Sequence, residues 1–222
     1  MLPDRFKTLF GESTGSTQSR RSGAKDEKEV VAERQSRGLA QFFFNIKDVH
    51  GLSILDLGGA AQENIEFITN LGHRITTQAF LQTLDQTFGK DSALEQDDPR
   101  SNGGFATQNL DFPPETFDGV LLWDTLQYMS PSLLSATVDQ LHRITRPRSY
   151  MLGFFNADEK SIISPRTKFR IVSSSTISLS QKGSRKQAQP FNNRNLEKLF
   201  AKFDSVKFFL TREHLREVIV RR

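Results

Sequence analysis

The chain has 222 residues, 25% of them charged and 36% hydrophobic, enough for one α/β domain with a sizeable core plus a polar tail. It carries no cysteine, which excludes disulfides, thiolate metal sites and thiol nucleophiles. A formal charge of +4 and a pI of about 9.4 are mildly basic and do not by themselves point to nucleic acid.

Residues 1–28 read as a flexible polar tail, since the Gly/Ser-rich stretch over 11–30 buries too little area to order itself. Residues 29–222 read as the folded domain. A helix is expected from about Asp26, carrying Val30, Val31, Leu39, Phe42, Phe43 and Phe44 toward a core. Residues 53–57 form a strand whose Ile54, Leu55 and Leu57 suit a sheet covered on both faces. Gly58 and Gly59 then allow a sharp turn, and a helix follows over 62–71. In such a strand–turn–helix unit a small ligand can lie against bare backbone at the strand's carboxyl end. Asp56 is a carboxylate in a buried strand, costly unless it binds something. The alternative is that it accepts the backbone N–H groups of the turn.

Arg74–Phe80 reads as a second strand, 81–88 as a helix, 89–104 as a polar loop and Phe105–Leu110 as a short third strand. A strong buried strand over 118–124 follows the turn at Pro113-Pro114. Pro131–Ile144 reads as a helix with Pro131 in its first turn, and Tyr150–Phe155 as a fifth strand. This alternation predicts a parallel, doubly wound sheet. Lys168–Leu179 reads as one extended segment and 192–203 as a helix. Val206–Leu210 and Leu215–Val220 have the spacing of a closing antiparallel hairpin.

Trp123 and Asp124 fall at the ligand-facing edge of such a sheet. Trp123 borders a pocket or fills the core. Asp124 orients a substrate or caps the following helix, the cap being preferred. Tyr128 and His142 are the acid–base candidates nearby, and both read as structural, so no catalytic residue is assigned. The other histidines (His50, His73, His214) show no metal-ligand spacing. Between Glu159 and Glu197 there is no acid, while Lys160, Arg166, Lys168, Arg170, Lys182, Arg185, Lys186 and Arg194 all fall there. Such a segment (160–196) suits an anionic partner or is simply solvated. With Phe169 alone inside the basic run, stacking on single-stranded nucleic acid is not supported. No segment reaches the apolar length of a membrane span, and no long apolar run precedes a cleavage site, so a soluble cytoplasmic protein is expected.

At this point the order of elements resembles the class I S-adenosylmethionine-dependent methyltransferases. Asp56-Leu57-Gly58-Gly59-Ala60 is similar to that family's acid–x–Gly–x–Gly motif, with alanine for the second glycine. Phe112-Pro113-Pro114-Glu115-Thr116-Phe117-Asp118-Gly119-Val120 looks like its proline-loop-Phe-Asp approach to strand four. Ile144-Thr145-Arg146-Pro147 is similar to its turn before strand five, with Arg148 in place of glycine. The likeness spans about 30 to 222. It implies a three-layer α/β fold around a mostly parallel, doubly wound, seven-stranded sheet ending in an antiparallel hairpin, the Rossmann-like methyltransferase fold. The basic insertion at 160–190 would then lie near the substrate entrance.

The resemblance further implies S-adenosyl-L-methionine as cofactor and an unidentified small-molecule or macromolecular methyl acceptor. Gly58, Gly59 and Ala60 would meet the methionine part and Asp56 its amino group. Gln78 would take the ribose, the Ala106–Thr107 turn the adenine, and Trp123 would border the transfer site. Three departures bear on activity. Thr76-Thr77-Gln78 supplies no carboxylate for the ribose, Ala106 stands where an acid often meets adenine, and Ala60 narrows the turn. Two readings follow: a methyltransferase, or a non-catalytic protein of that fold acting as a binding or scaffolding module. A nicotinamide-dependent dehydrogenase fits poorly, because Gly58-Gly59-Ala60-Ala61-Gln62-Glu63 lacks the Gly-x-Gly-x-x-Gly spacing.

Overall fold

Side chains along β2 (Ser53–Asp56) and β4 (Phe117–Trp123) alternate between two apolar clusters, as a period of two requires. Leu55, Val120 and Leu122 enter one cluster; Ile54, Leu121 and Trp123 enter the other. β5 (Thr145–Asn156) and β9 (Leu215–Arg221) repeat the pattern, with Met151 and Val218 on the first side and Leu152 and Ile219 on the second. Both faces of the sheet are therefore dry, which is why its strands read as continuous apolar runs.

The computed structural model describes residues 29–90, 95–97, 99–158, 161–211 and 215–222. β2 pairs in parallel with β3 (Arg74–Thr77) and with β4, and β4 pairs in parallel with β5. β9 runs antiparallel between β5 and β8 (Ser205–Leu210), giving the order β3-β2-β4-β5-β9-β8. The first face is covered by α3 (Phe80–Phe88), α4 (Pro99–Asn109), α5 (Pro131–Ile144) and α6 (Asn193–Leu199). The second carries α1 (Arg37–Ile46), α2 (Gln62–Asn70) and a separate three-stranded antiparallel sheet. That small sheet is β1 (Val30–Gln35), β6 (Ile163–Ser173) and β7 (Thr176–Lys186), in the order β1-β7-β6.

The fold class and the closing hairpin match expectation, with four corrections. Among the described residues the main sheet has six strands instead of seven. The missing one was expected at 105–110, which lies in and just beyond α4: Phe105, Ala106 and Leu110 are buried at helical spacing, and Phe105 packs on Phe80 and Phe88. The helix expected from Asp26 begins only at Arg37, after Ser36 caps it by accepting from Leu39 N at 3.0 Å. Ahead of it, 30–35 pairs with β7 as an edge strand. Phe44 is 62% exposed on the outer face of α1, under the Lys47 ammonium instead of in the core. Lys168–Leu179 is two strands, because Ser174 and Ser175 turn the chain back on itself. The tail expected at 1–28 lies outside the described residues.

The motif residues at the amino ends of the strands are structural. Asp118 accepts Ser53 N at 2.8 Å, and Arg146 Nη1 lies 2.7 and 2.8 Å from its two carboxylate oxygens, so it ties β2, β4 and β5 together. Among the described residues, no helix is long and apolar enough to cross a membrane.

Candidate functional site

Asp56 ends β2 and points to the second face of the sheet, 0% exposed. Its Oδ1 accepts from Gly58 N at 2.8 Å and from Trp123 Nε1 at 2.6 Å, and its Oδ2 from Asn64 Nδ2 at 3.0 Å. Burial pushes the carboxyl above its ordinary range, and the hydrogen bonds from Asn64, Gly58 and Trp123 pull it back only in part. A bound molecule is not needed to compensate this carboxylate. Three donors of the chain itself already do so.

Trp123 reaches Asp56 through a distortion of β4. The ladder with β5 shifts register between Leu121 and Trp123, and Trp123 has φ +50°, a conformation rare for a bulky residue. Strain of this kind persists only where the surroundings over-determine it. Here they do: the indole lies nearly parallel to Phe169 (5.2 Å, 11°) and Phe154 (5.9 Å, 9°), and those rings lie 5.0 Å apart. Gly58 is required by this stack. A Cβ there would sit 2.7 Å from Trp123 Cδ1 and 2.9 Å from its Nε1. The indole takes the direction a Cβ of Gly58 would need, while Gly58 itself stays exposed to the neighbouring cleft.

Asn64 closes the arrangement from above. Besides donating to Asp56, it accepts Ile171 N at 2.8 Å, so one side chain links the β2 turn to β6. Beside it Arg170 Nε donates to Glu63 Oε1 at 2.9 Å. The hollow left at the turn, lined by Leu57, Gly58, Ala61, Thr125 and Phe169 among others, has a volume of about 130 Å³. Pockets that enclose a drug-sized ligand span about 300–1,000 Å³. The hollow at the turn is too small by itself to enclose a molecule the size of S-adenosylmethionine, and it shares Gly58, Leu81, Gln82 and Asp124 with a larger neighbouring cleft.

The other expected contacts are dispersed. Gly59 is buried with φ +88°, the left-handed conformation that makes glycine necessary, while Ala60 is exposed. Gln78 is half-buried, and its Nε2 donates to Asn109 O at 3.2 Å. Ala106 and Thr107 lie on α4 instead of in a turn, Ala106 inward and Thr107 on the exposed side. Asn64, Phe154 and Phe169 are the site residues that sequence reading missed. Asn64 in the first turn of α2 was a legible polar candidate, whereas nothing local marked Phe169.

Asp124 does not cap the helix that follows; its Oδ2 accepts from Tyr128 OH at 2.9 Å. Burial raises the Asp124 carboxyl to about 6, against the hydrogen bond from Tyr128 and the charge of Arg185. Burial and the Asp124 charge push the Tyr128 hydroxyl well up. Arg185 lies over the Tyr128 ring at 4.5 Å and makes a two-point contact with Asp85 of α3 at 3.0 and 2.5 Å. Among the described residues, no three His, Asp or Glu side chains gather as a metal site would require.

No family model and no curated protein matches the chain. Several solved structures follow a similar backbone path. A 1,6-didemethyltoxoflavin-N1-methyltransferase from Burkholderia thailandensis, solved with 1,6-didemethyltoxoflavin and S-adenosylhomocysteine, is 13% identical, covering 83% of this chain and 76% of its own, with a TM-score of 0.46. A SAM-dependent methyltransferase from Archaeoglobus fulgidus is 14% identical over 83% of this chain and 91% of its own, with a TM-score of 0.48. One from Methanosarcina mazei is 13% identical over 78% and 93%, with a TM-score of 0.44. The fold is the Rossmann-like methyltransferase fold, carried by the strand order with β9 between β5 and β8. At these identities and scores the likeness says nothing of activity or of bound molecules.

Proposed function

We propose that the chain is a non-catalytic protein of the methyltransferase fold, a binding or scaffolding module whose donor position is filled by its own side chains. One observation carries this reading: the Trp123 indole occupies the space a Cβ of Gly58 would need and satisfies Asp56. The β6 strand supports it by laying Phe169 on the indole and Ile171 N on Asn64. Gln78 agrees with it in supplying only a neutral amide, with no carboxylate, where a ribose would be held.

The second reading, a methyltransferase using S-adenosyl-L-methionine, has one observation in its favour. A larger cleft of about 1140 Å³ opens beside Gly58 and reaches Asp124. Thermal denaturation with and without millimolar S-adenosylmethionine or S-adenosylhomocysteine separates the two. A ligand at 100 times its Kd stabilises by about 2.7 kcal/mol. That corresponds to a shift of several degrees in a chain of this size. We expect none. A concentration-dependent rise would establish the donor site and overturn the non-catalytic reading.

A further inference from the structure

The cleft between α3 and the β6–β7 hairpin has an electrostatic character that the turn at Gly58 does not explain. Arg166, Lys168 and Lys182 reach it from the hairpin and Lys90 from beyond α3; all four are exposed and without an ion-pair partner among the described residues. Each acid that lines it has a partner within the same cleft, Glu29 alone among them being exposed. Asp85 holds Arg185, Glu29 accepts from the Ser180 hydroxyl, and Asp124 is buried on the floor under Tyr128.

The hairpin register sharpens this. Pro165 pairs with Ser184 and Thr167 with Gln181, so Arg166 alone opposes Lys182 and Gly183 across a bulge. Gly183 has φ +73°, which supplies the left-handed residue the bulge needs. Like charges set opposite each other across an antiparallel pair are destabilising. Bulges that re-aim side chains are over-represented beside functional sites. The wall behind them is pre-formed by the Arg185–Asp85 pair, whose side chains are only 6% and 10% exposed.

We propose that this cleft binds a small, soluble, phosphate-bearing anion, held by Arg166, Lys168 and Lys182. A phosphate group brings between one and two negative charges and several acceptors, which offsets the clustered cations. The Arg166 fork suits its geometry. Concavity and the lack of a free aromatic favour a small molecule over a nucleic-acid strand, because Arg185 already covers the Tyr128 ring. The proposal does not rest on the donor position at Gly58 being open or closed.

Isothermal titration of the full chain with inorganic pyrophosphate at low salt tests it. Saturable binding is expected, weakened about tenfold or more in Arg166→Ala and in Lys182→Ala and largely restored in Lys182→Arg. Both positions are exposed, so the unfolding midpoint should hold or rise slightly as the like-charge pair is removed. Absent binding, or binding that both alanine variants leave intact, overturns the proposal. So does capture of a single-stranded oligonucleotide or an acidic peptide that pyrophosphate fails to displace. Because the probe contains no sulfonium donor, failure here is distinct from a failed donor test.

Discussion

Trp123 Nε1 donates to Asp56 Oδ1 at 2.6 Å across two adjacent parallel strands, β4 and β2. This bond accounts for three features at once: a carboxylate tolerated in a dry sheet, a tryptophan held at positive φ, and a glycine against which the indole packs too closely for a Cβ to fit without a shift. A donor from the side chain stands where a ligand's donor would otherwise be needed.

Replacing Trp123 with Phe keeps most of the ring stack and deletes the N–H. Asp56 stays desolvated with two donors instead of three. The stability loss should be about 1–3 kcal/mol. It should appear as a lower urea midpoint at unchanged slope, since the surface exposed on unfolding is the same. An unchanged midpoint would mean the bond contributes nothing to the fold.

Gly58→Ala tests the same packing from the other strand. The added methyl meets the indole at 2.7 Å, and that ring packs against both Phe154 and Phe169, which restricts its movement. Overpacking of this kind costs about 1–3 kcal/mol. Gly104→Ala, with nothing within 4 Å of the new Cβ, is the matched control and should be tolerated. Equal behaviour of the two variants in thermal denaturation would contradict the packed turn.

Much of this was legible in the sequence, and for stated reasons. Ile54, Leu55 and Leu57, and the run over 118–123, announce strands buried on both sides because nothing polar interrupts them except Asp56 and Asp118. Pro131 and Ser130 fix the start of α5, where Ser130 Oγ accepts from Leu133 N. What was hidden depends on distance along the chain. Phe169 meets Trp123 only because β6 folds over α2, and no local pattern encodes that contact. Residues 105–110 misled for the opposite reason: glycines at 103 and 104 argue against a helix locally, and packing of Phe105 on α3 overrides them.

Asn64 joins the end of β2 to β6, and its amide has a separate task at each end. Asn64→Ala strands one acceptor site on Asp56 and the backbone N–H of Ile171, both buried. Each orphaned group costs about 1–3 kcal/mol. The distinguishing readout is local: amide exchange at Ile171 should accelerate far more than at Val120 in the centre of the main sheet. Uniform acceleration would show that Asn64 stabilises the fold generally without tying β6 to the turn.

Asp124 gives the fold a pH dependence of defined sign. Its carboxyl titrates near 6 in the folded chain against an ordinary value of 3.8, so between those limits the folded state holds the proton more firmly than the unfolded one. Stability from this group therefore falls as pH rises through that window and is flat above it. Two pKa units correspond to about 3 kcal/mol. Asp56, also raised by burial, acts in the same direction. Asp124→Asn keeps an acceptor for Tyr128 and cannot ionise. Urea midpoints measured from pH 4 to pH 7 should decline more steeply in the wild type than in the variant. At neutral pH the variant should be the more stable protein by about 2–3 kcal/mol. Parallel curves would place the titration elsewhere and would remove Asp124 from the buried charges that the fold tolerates.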